Sequence, residues 1–137
     1  MIQIIYGKKG AGKTKKIIES ANHASETLKG NVAFLFNSKR YICDLKHQVR
    51  FINTEEYGIK GAYLFFGFIC GLVASNFDLE RIYVDGFLKH MDRPMEELED
   101  LFIRLKSFCE QNRIELILSV SADKDEIPAF MQEFLID

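Results

Sequence analysis

Gly7-Lys8-Lys9-Gly10-Ala11-Gly12-Lys13-Thr14 is the stretch that decides the fold. Before it stands an apolar pentad, Ile2-Gln3-Ile4-Ile5-Tyr6, that reads as a buried strand. After it Ile17, Ile18, Ala21, Ala24 and Leu28 recur on one helical face. The spacing G-x-x-x-x-G-K-[ST] between a strand and a helix is that of a phosphate-binding P-loop, or Walker A motif. Glycines 7, 10 and 12 allow successive backbone N–H groups to turn inward around a polyphosphate. The helix opening near Lys13 adds the positive end of its dipole. Lys13 is expected to reach the β- and γ-phosphate oxygens, and the Thr14 hydroxyl to take one place on Mg²⁺.

The remainder of the chain follows the same strand-and-helix alternation. The first helix is expected over 13–28, with Gly30 a natural residue to end it. Residues 32–36 (Val-Ala-Phe-Leu-Phe) form a continuous apolar run, the mark of a strand buried on both faces. A short helix is expected at 41–47 and a brief strand at 49–52. Residues 61–75 (GAYLFFGFICGLVAS) are the most apolar stretch, too short for a membrane span of about twenty residues. It reads as a helix buried on the sheet, with Gly67 and Gly71 permitting close approach. The other reading is an oligomer or membrane-protein contact built on the small-residue spacing Gly67-x-x-x-Gly71.

Residues 81–85 (Arg-Ile-Tyr-Val-Asp) read as a strand ending on an acid, and 87–92 as a loop. Pro94 stands in the first turn of the clearest helix, with Met95, Leu98, Leu101, Phe102, Leu105, Phe108 and Cys109 on its apolar face. The last strand is expected at 116–120, and a short helix opened by Pro128 carries Phe130, Met131, Phe134 and Leu135. The whole, residues 1–137, is read as one nucleotide-binding domain. Its expected architecture is a three-layer α/β/α P-loop NTPase fold around a parallel sheet of about 4–5 strands, with the ligand at the strands' carboxyl edge.

Mg²⁺ requires a carboxylate across from Thr14, and Asp85, at the end of an apolar strand, is the candidate (a Walker B acid). Ser121, with Ser119 the weaker alternative, ends the neighbouring strand, where a hydroxyl could sense the γ-phosphate or the attacking water. The formal charge of −2 and the apolar fraction of 47% give no general sign of a nucleic-acid or membrane partner. The dense basic cluster, Lys8, Lys9, Lys13, Lys15 and Lys16, surrounds the phosphate site. Cys43, Cys70 and Cys109 are scattered, which argues for reduced thiols. With no export signal after Met1, the expected location is the cytoplasm. His23, His47 and His90 show no ligand or catalytic spacing.

Walker A, Walker B and a strand with a small polar terminus together resemble the ATPase branch of P-loop proteins, the RecA-like and AAA-like group. The resemblance implies that strand 116–120 lies between the P-loop strand and the Walker B strand, and that the ligands are ATP and Mg²⁺. Over nearly its whole length the chain also resembles small bacterial ATP-binding proteins sometimes labelled twitching-motility ATPase. The acidic and histidine-rich boxes of the twitching motors do not occur in it.

That branch usually carries a glutamate directly after the Walker B acid, and this chain has Gly86 there. Glu55 or Glu56 could substitute from a neighbouring strand, or both could be surface residues at a helix start. Three functions follow: a small ATPase with slow intrinsic hydrolysis, a non-catalytic nucleotide-binding reporter acting through a partner, or a small-molecule or nucleotide kinase. The ATPase reading brings in a homo-oligomer or protein partner, with Arg40, Arg50 and Arg93 as donors of an arginine in trans. No Asn-Lys-x-Asp motif is present, so adenine is the expected base.

Overall fold

A computed structural model describes residues 1–136. The elements run β1 (Ile2–Tyr6), α1 (Lys13–Thr27), β2 (Asn31–Phe36), β3 (Val49–Asn53), α2 (Ala62–Ser75), β4 (Leu79–Val84), α3 (Glu99–Asn112), β5 (Glu115–Val120), α4 (Ala129–Gln132) and β6 (Leu135–Ile136). The strands form one sheet in the order β3-β2-β4-β5-β1-β6, and every pairing is parallel. β5 does lie between the P-loop strand β1 and the acid-tipped β4.

Parallel strands buried on both faces send alternate side chains into two cores. Ile4, Leu35, Val84 and Leu118 point into one core, which α2, α3 and α4 cover. Ile5, Phe34, Tyr83 and Ile117 point into the other, covered by Ile17, Ala21 and Ala24 of α1. In α3, Leu101, Phe102, Leu105 and Cys109 are buried at helical spacing. Burying each large side chain of this kind is worth about 1.5–3 kcal/mol against leaving it exposed. Phe87 packs edge-on against Phe65 and Phe102, both at 5.6 Å between ring centres. That aromatic cluster sits directly beneath the chain leaving β4.

Several expectations need correction. The sheet has six strands, because Leu135–Ile136 leaves the short C-terminal helix and pairs with Ile4 and Ile5 of β1. Residues 41–47 form turns and no helix. There the Asn22 side chain of α1 donates to the Asp44 carbonyl and accepts from the Lys46 N–H, holding the loop in another shape. Pro94 leads into a 3-10 turn, Met95–Glu97, and α3 proper starts at Glu99. The first helix ends at Thr27, ahead of Gly30.

α2 is fully buried at Ala62, Phe65 and Ile69, and Phe66, Phe68, Leu72 and Val73 pack partly buried against the same core. A Cβ at Gly67 or at Gly71 would meet nothing within 4 Å, so neither glycine serves a close approach. Tyr63 and Leu64 are exposed on the outward side.

Candidate functional site

The P-loop occupies the turn from β1 into α1, where the parallel sheet presents its carboxyl edge. Gly10 and Gly12 take φ of +91° and +87°, a region that costs an L side chain about 1–2 kcal/mol. Gly12 is the residue from which α1 starts, so the glycine places the helix's first N–H groups at the loop. The Gly7 N–H donates to the Ala122 carbonyl at 3.1 Å, tying the loop's start to the chain leaving β5. Lys8 reaches Asp123 at 3.2 Å across the same gap, with both side chains largely solvated. Lys9 and Ala11 are exposed on the loop's outer side.

Lys13 turns back over the loop, and its Nζ donates to the Lys8 carbonyl at 3.0 Å. Burial pushes this ammonium below the usual lysine value, while the charge of Asp85 pulls it up. Thr14 Oγ1 donates to Asp85 Oδ2 at 3.0 Å, across 71 residues of sequence. The two groups expected to share a cation are therefore already side by side.

Asp85 itself is 3% exposed, and its other oxygen is also engaged. Ser119 Oγ donates to Asp85 Oδ1 at 2.5 Å and accepts the Gly86 N–H at 2.7 Å. The strand register explains the pairing. Val84 stands opposite Leu118, so the next residue along each chain, Asp85 and Ser119, meet on the same face. Ser121 lies beyond the end of β5 and is exposed.

Gly86 adopts φ +64°, and a Cβ there would crowd the Lys89 stem at 3.1 Å and the Phe36 ring at 3.5 Å. The left-handed turn and its tight surroundings favour a glycine after Asp85. Glu55 and Glu56 are exposed on the 3-10 turn Thr54–Tyr57. Glu56 lies 3.8 Å from Lys39, and neither acid bonds to Thr14, Lys13 or Asp85 among the described residues. Arg40 rests over the Tyr41 ring, Arg50 is exposed on β3, and Arg93 pairs with Asp92.

One group escaped the sequence reading. His90 is 1% exposed and sits between two strand ends. Its Nε2 meets Thr54 Oγ1 at 2.9 Å and its Nδ1 meets the Gly86 carbonyl at 3.1 Å, while Thr54 donates to the Phe36 carbonyl. Burial pushes its pKa below the usual histidine value, against smaller upward pulls from the Gly86 carbonyl and Asp85. The one sequence signal was a polar residue four positions after the strand-end glycine, in an apolar loop.

The donor set suits Mg²⁺. That ion takes hard oxygen ligands, one or two from protein, and keeps water and substrate phosphates for the rest. A hydroxyl and a carboxylate meeting at the mouth of an amide-lined loop meet this need. Among the described residues no cluster of three or more His, Cys, Asp or Glu side chains competes as a cation site. An open groove of about 930 Å³ lies elsewhere, along β3 and the carboxyl end of α2.

No family model matches the chain, and no curated protein matches it in sequence. Among solved structures it is similar to a KaiC-like protein from the hyperthermophilic archaeon Pyrococcus horikoshii OT3. The TM-score is 0.63 at 12% identity, with 97% of this chain and 66% of that one covered. The chain therefore spans less than two thirds of that protein's length. The likeness lends nothing to the twitching-motility label. It is one of fold, and the fold is a three-layer α/β/α arrangement of a parallel sheet between helices.

Proposed function

We propose that the chain is a Mg²⁺-dependent ATP-binding protein with slow intrinsic ATPase activity. The observation that carries the reading is the 3.0 Å hydrogen bond from Thr14 to Asp85 beside the P-loop. A hydroxyl and a carboxylate distant in sequence meet where a nucleotide's terminal phosphates and their cation belong. In this reading the amides of residues 7–14 and the dipole of α1 bind the polyphosphate. Lys13 exchanges its bond to the Lys8 carbonyl for phosphate oxygens. Thr14 and Asp85 hold the cation side of the ligand. Bound Mg²⁺ would neutralise charge on the phosphates during transfer to water.

Slow turnover follows from what stands after Asp85. Gly86 cannot polarise water, and general-base help is worth about 10²- to 10⁴-fold. The left-handed turn at Gly86 also gives weight to a second reading, a nucleotide-binding reporter without appreciable hydrolysis. Either reading leaves room for a partner or a second copy that supplies what the chain lacks.

The test is calorimetry with Mg·ATP and Mg·ADP on the wild type and on Lys13→Ala, followed by phosphate release at several protein concentrations. Lys13→Ala is expected to weaken binding by about ten- to a hundredfold, the loss of a charge-assisted contact. Turnover that rises with protein concentration supports the ATPase; tight binding without turnover supports the reporter. No uptake of any nucleotide by folded wild type ends both.

A further inference from the structure

We infer that Ser119 is the positioning residue of the cation-side carboxylate: its hydroxyl clamps one oxygen of Asp85 and leaves the other alone to serve Thr14 and the metal. The inference rests on the reading of Asp85 as the acid facing Mg²⁺. Ser119 is 1% exposed, in the body of β5, so it has no solvent to bond. A hydroxyl has one proton, and Ser119 gives that proton to Asp85 Oδ1. Its lone pair takes the Gly86 N–H, so the same atom fixes both the carboxylate and the turn that follows it.

The consequence is directional. With Oδ1 held at 2.5 Å by Ser119, the carboxylate plane is set, and Oδ2 is the oxygen that meets Thr14 Oγ1. Asp85 then offers one oxygen to the cation side instead of chelating through both. The clamp is also ready before a ligand arrives, so binding need not freeze the carboxylate's rotation. Ser119 never reaches the phosphates in this role. It acts through Asp85, as the outer partners of metal ligands do, and loss of such a partner typically costs about 10- to 100-fold in metal affinity.

The experiment compares ADP affinity with Mg²⁺ and in excess chelator, on wild type, Ser119→Ala and Ser119→Thr, by calorimetry. Thermal melts of each protein check folding. The quantity read is the ratio of the two affinities, because the amide cradle and Lys13 act in both conditions and Asp85 counts chiefly in the first. Ser119→Ala is expected to lower the ratio about tenfold, and Ser119→Thr, which keeps the hydroxyl, to hold it near wild type. A purely structural role would weaken both affinities alike and leave the ratio unchanged, which overturns the inference. Should Ser119→Ala fail to fold, an unchanged ratio in Ser119→Cys, whose thiol is a much weaker donor, overturns it equally. Wild type that binds ADP with no gain from Mg²⁺ removes the inference while nucleotide binding survives; wild type that binds no nucleotide removes both.

Discussion

At the scale of single residues, the polar groups along the sheet's carboxyl edge form two linked sets. Thr14, Asp85 and Ser119 make one, and the Gly86 turn joins it to Thr54 and His90. The second set is short of a proton. Three contacts join the Phe36 carbonyl, the Thr54 hydroxyl, the His90 ring and the Gly86 carbonyl, and a neutral imidazole plus one hydroxyl supply two protons. Only the imidazolium satisfies all three, yet burial is the larger influence and holds the pKa below the usual histidine value, aided by the charge of Lys60 and opposed by the bond to the Gly86 carbonyl and the charge of Asp85. The sign follows by linkage. With the native pKa depressed, the unfolded chain takes up a proton first as the pH falls below about 6.5. Stability is then complete above that pH, declines below it, and levels off once the native pKa is passed. The slope from one histidine cannot exceed about 1.4 kcal/mol per pH unit. Urea unfolding of wild type and His90→Gln from pH 7.5 to 5 measures the difference. The variant should lose part of the acid-side decline; identical slopes would mean that His90 keeps its unfolded pKa in the native protein.

At the scale of elements, the legible parts were those whose signal is local. The loop 7–14 with its flanking strand and helix, and the strand that ends at Asp85, each carry their signal in one continuous stretch of sequence. The parts that failed depend on distant contacts. Residues 41–47 read as a short helix in sequence, whereas Asn22, more than twenty residues earlier than Asp44 and Lys46, supplies the competing hydrogen bonds. β6 has two residues, too few for any period, and follows Phe134 at a spacing that fits a helix. Sequence points to Ser121 ahead of Ser119 because it gives a strand's extent but not its register with a neighbour. α2 is the clearest case: Gly67 and Gly71 suggested close packing, and both face open space. Neither has a positive φ, so each only loosens the exposed side of the helix. Gly67→Ala and Gly71→Ala should therefore each stabilise the protein by about 0.5–1 kcal/mol, the ordinary helix cost of glycine. The urea midpoint should rise in both variants with the slope unchanged. A fall in either would mean that the outward face of α2 is packed against something that the bare chain does not contain.

At the scale of the whole molecule, the order β3-β2-β4-β5-β1-β6 brings loops from both halves of the chain to one edge. The resemblance implied one part of that order, β5 between β1 and β4; no periodicity could have supplied it, because parallel neighbours here are separated by long crossovers. The arrangement also determines how a ligand should act on stability. The P-loop joins β1 to α1, the Ala122 carbonyl ties it to β5, and Asp85 stands at the end of β4. β1, β4 and β5 each send side chains into both cores, so holding their ends together constrains the two cores at once. Nucleotide binding should therefore raise the melting temperature in a single transition. The size follows from mass action: ligand at a hundred times its Kd stabilises by about 2.7 kcal/mol. For a domain of this length that corresponds to a rise on the order of 10 °C. Thermal melts at fixed Mg·ADP, with the concentration set from the calorimetric Kd, measure it. Lys13→Ala at the same absolute concentration should gain only a few degrees, because its weaker affinity lowers the saturation term. Two separate transitions in the presence of Mg·ADP, only one of them shifted, would mean that the P-loop edge unfolds apart from the rest of the sheet.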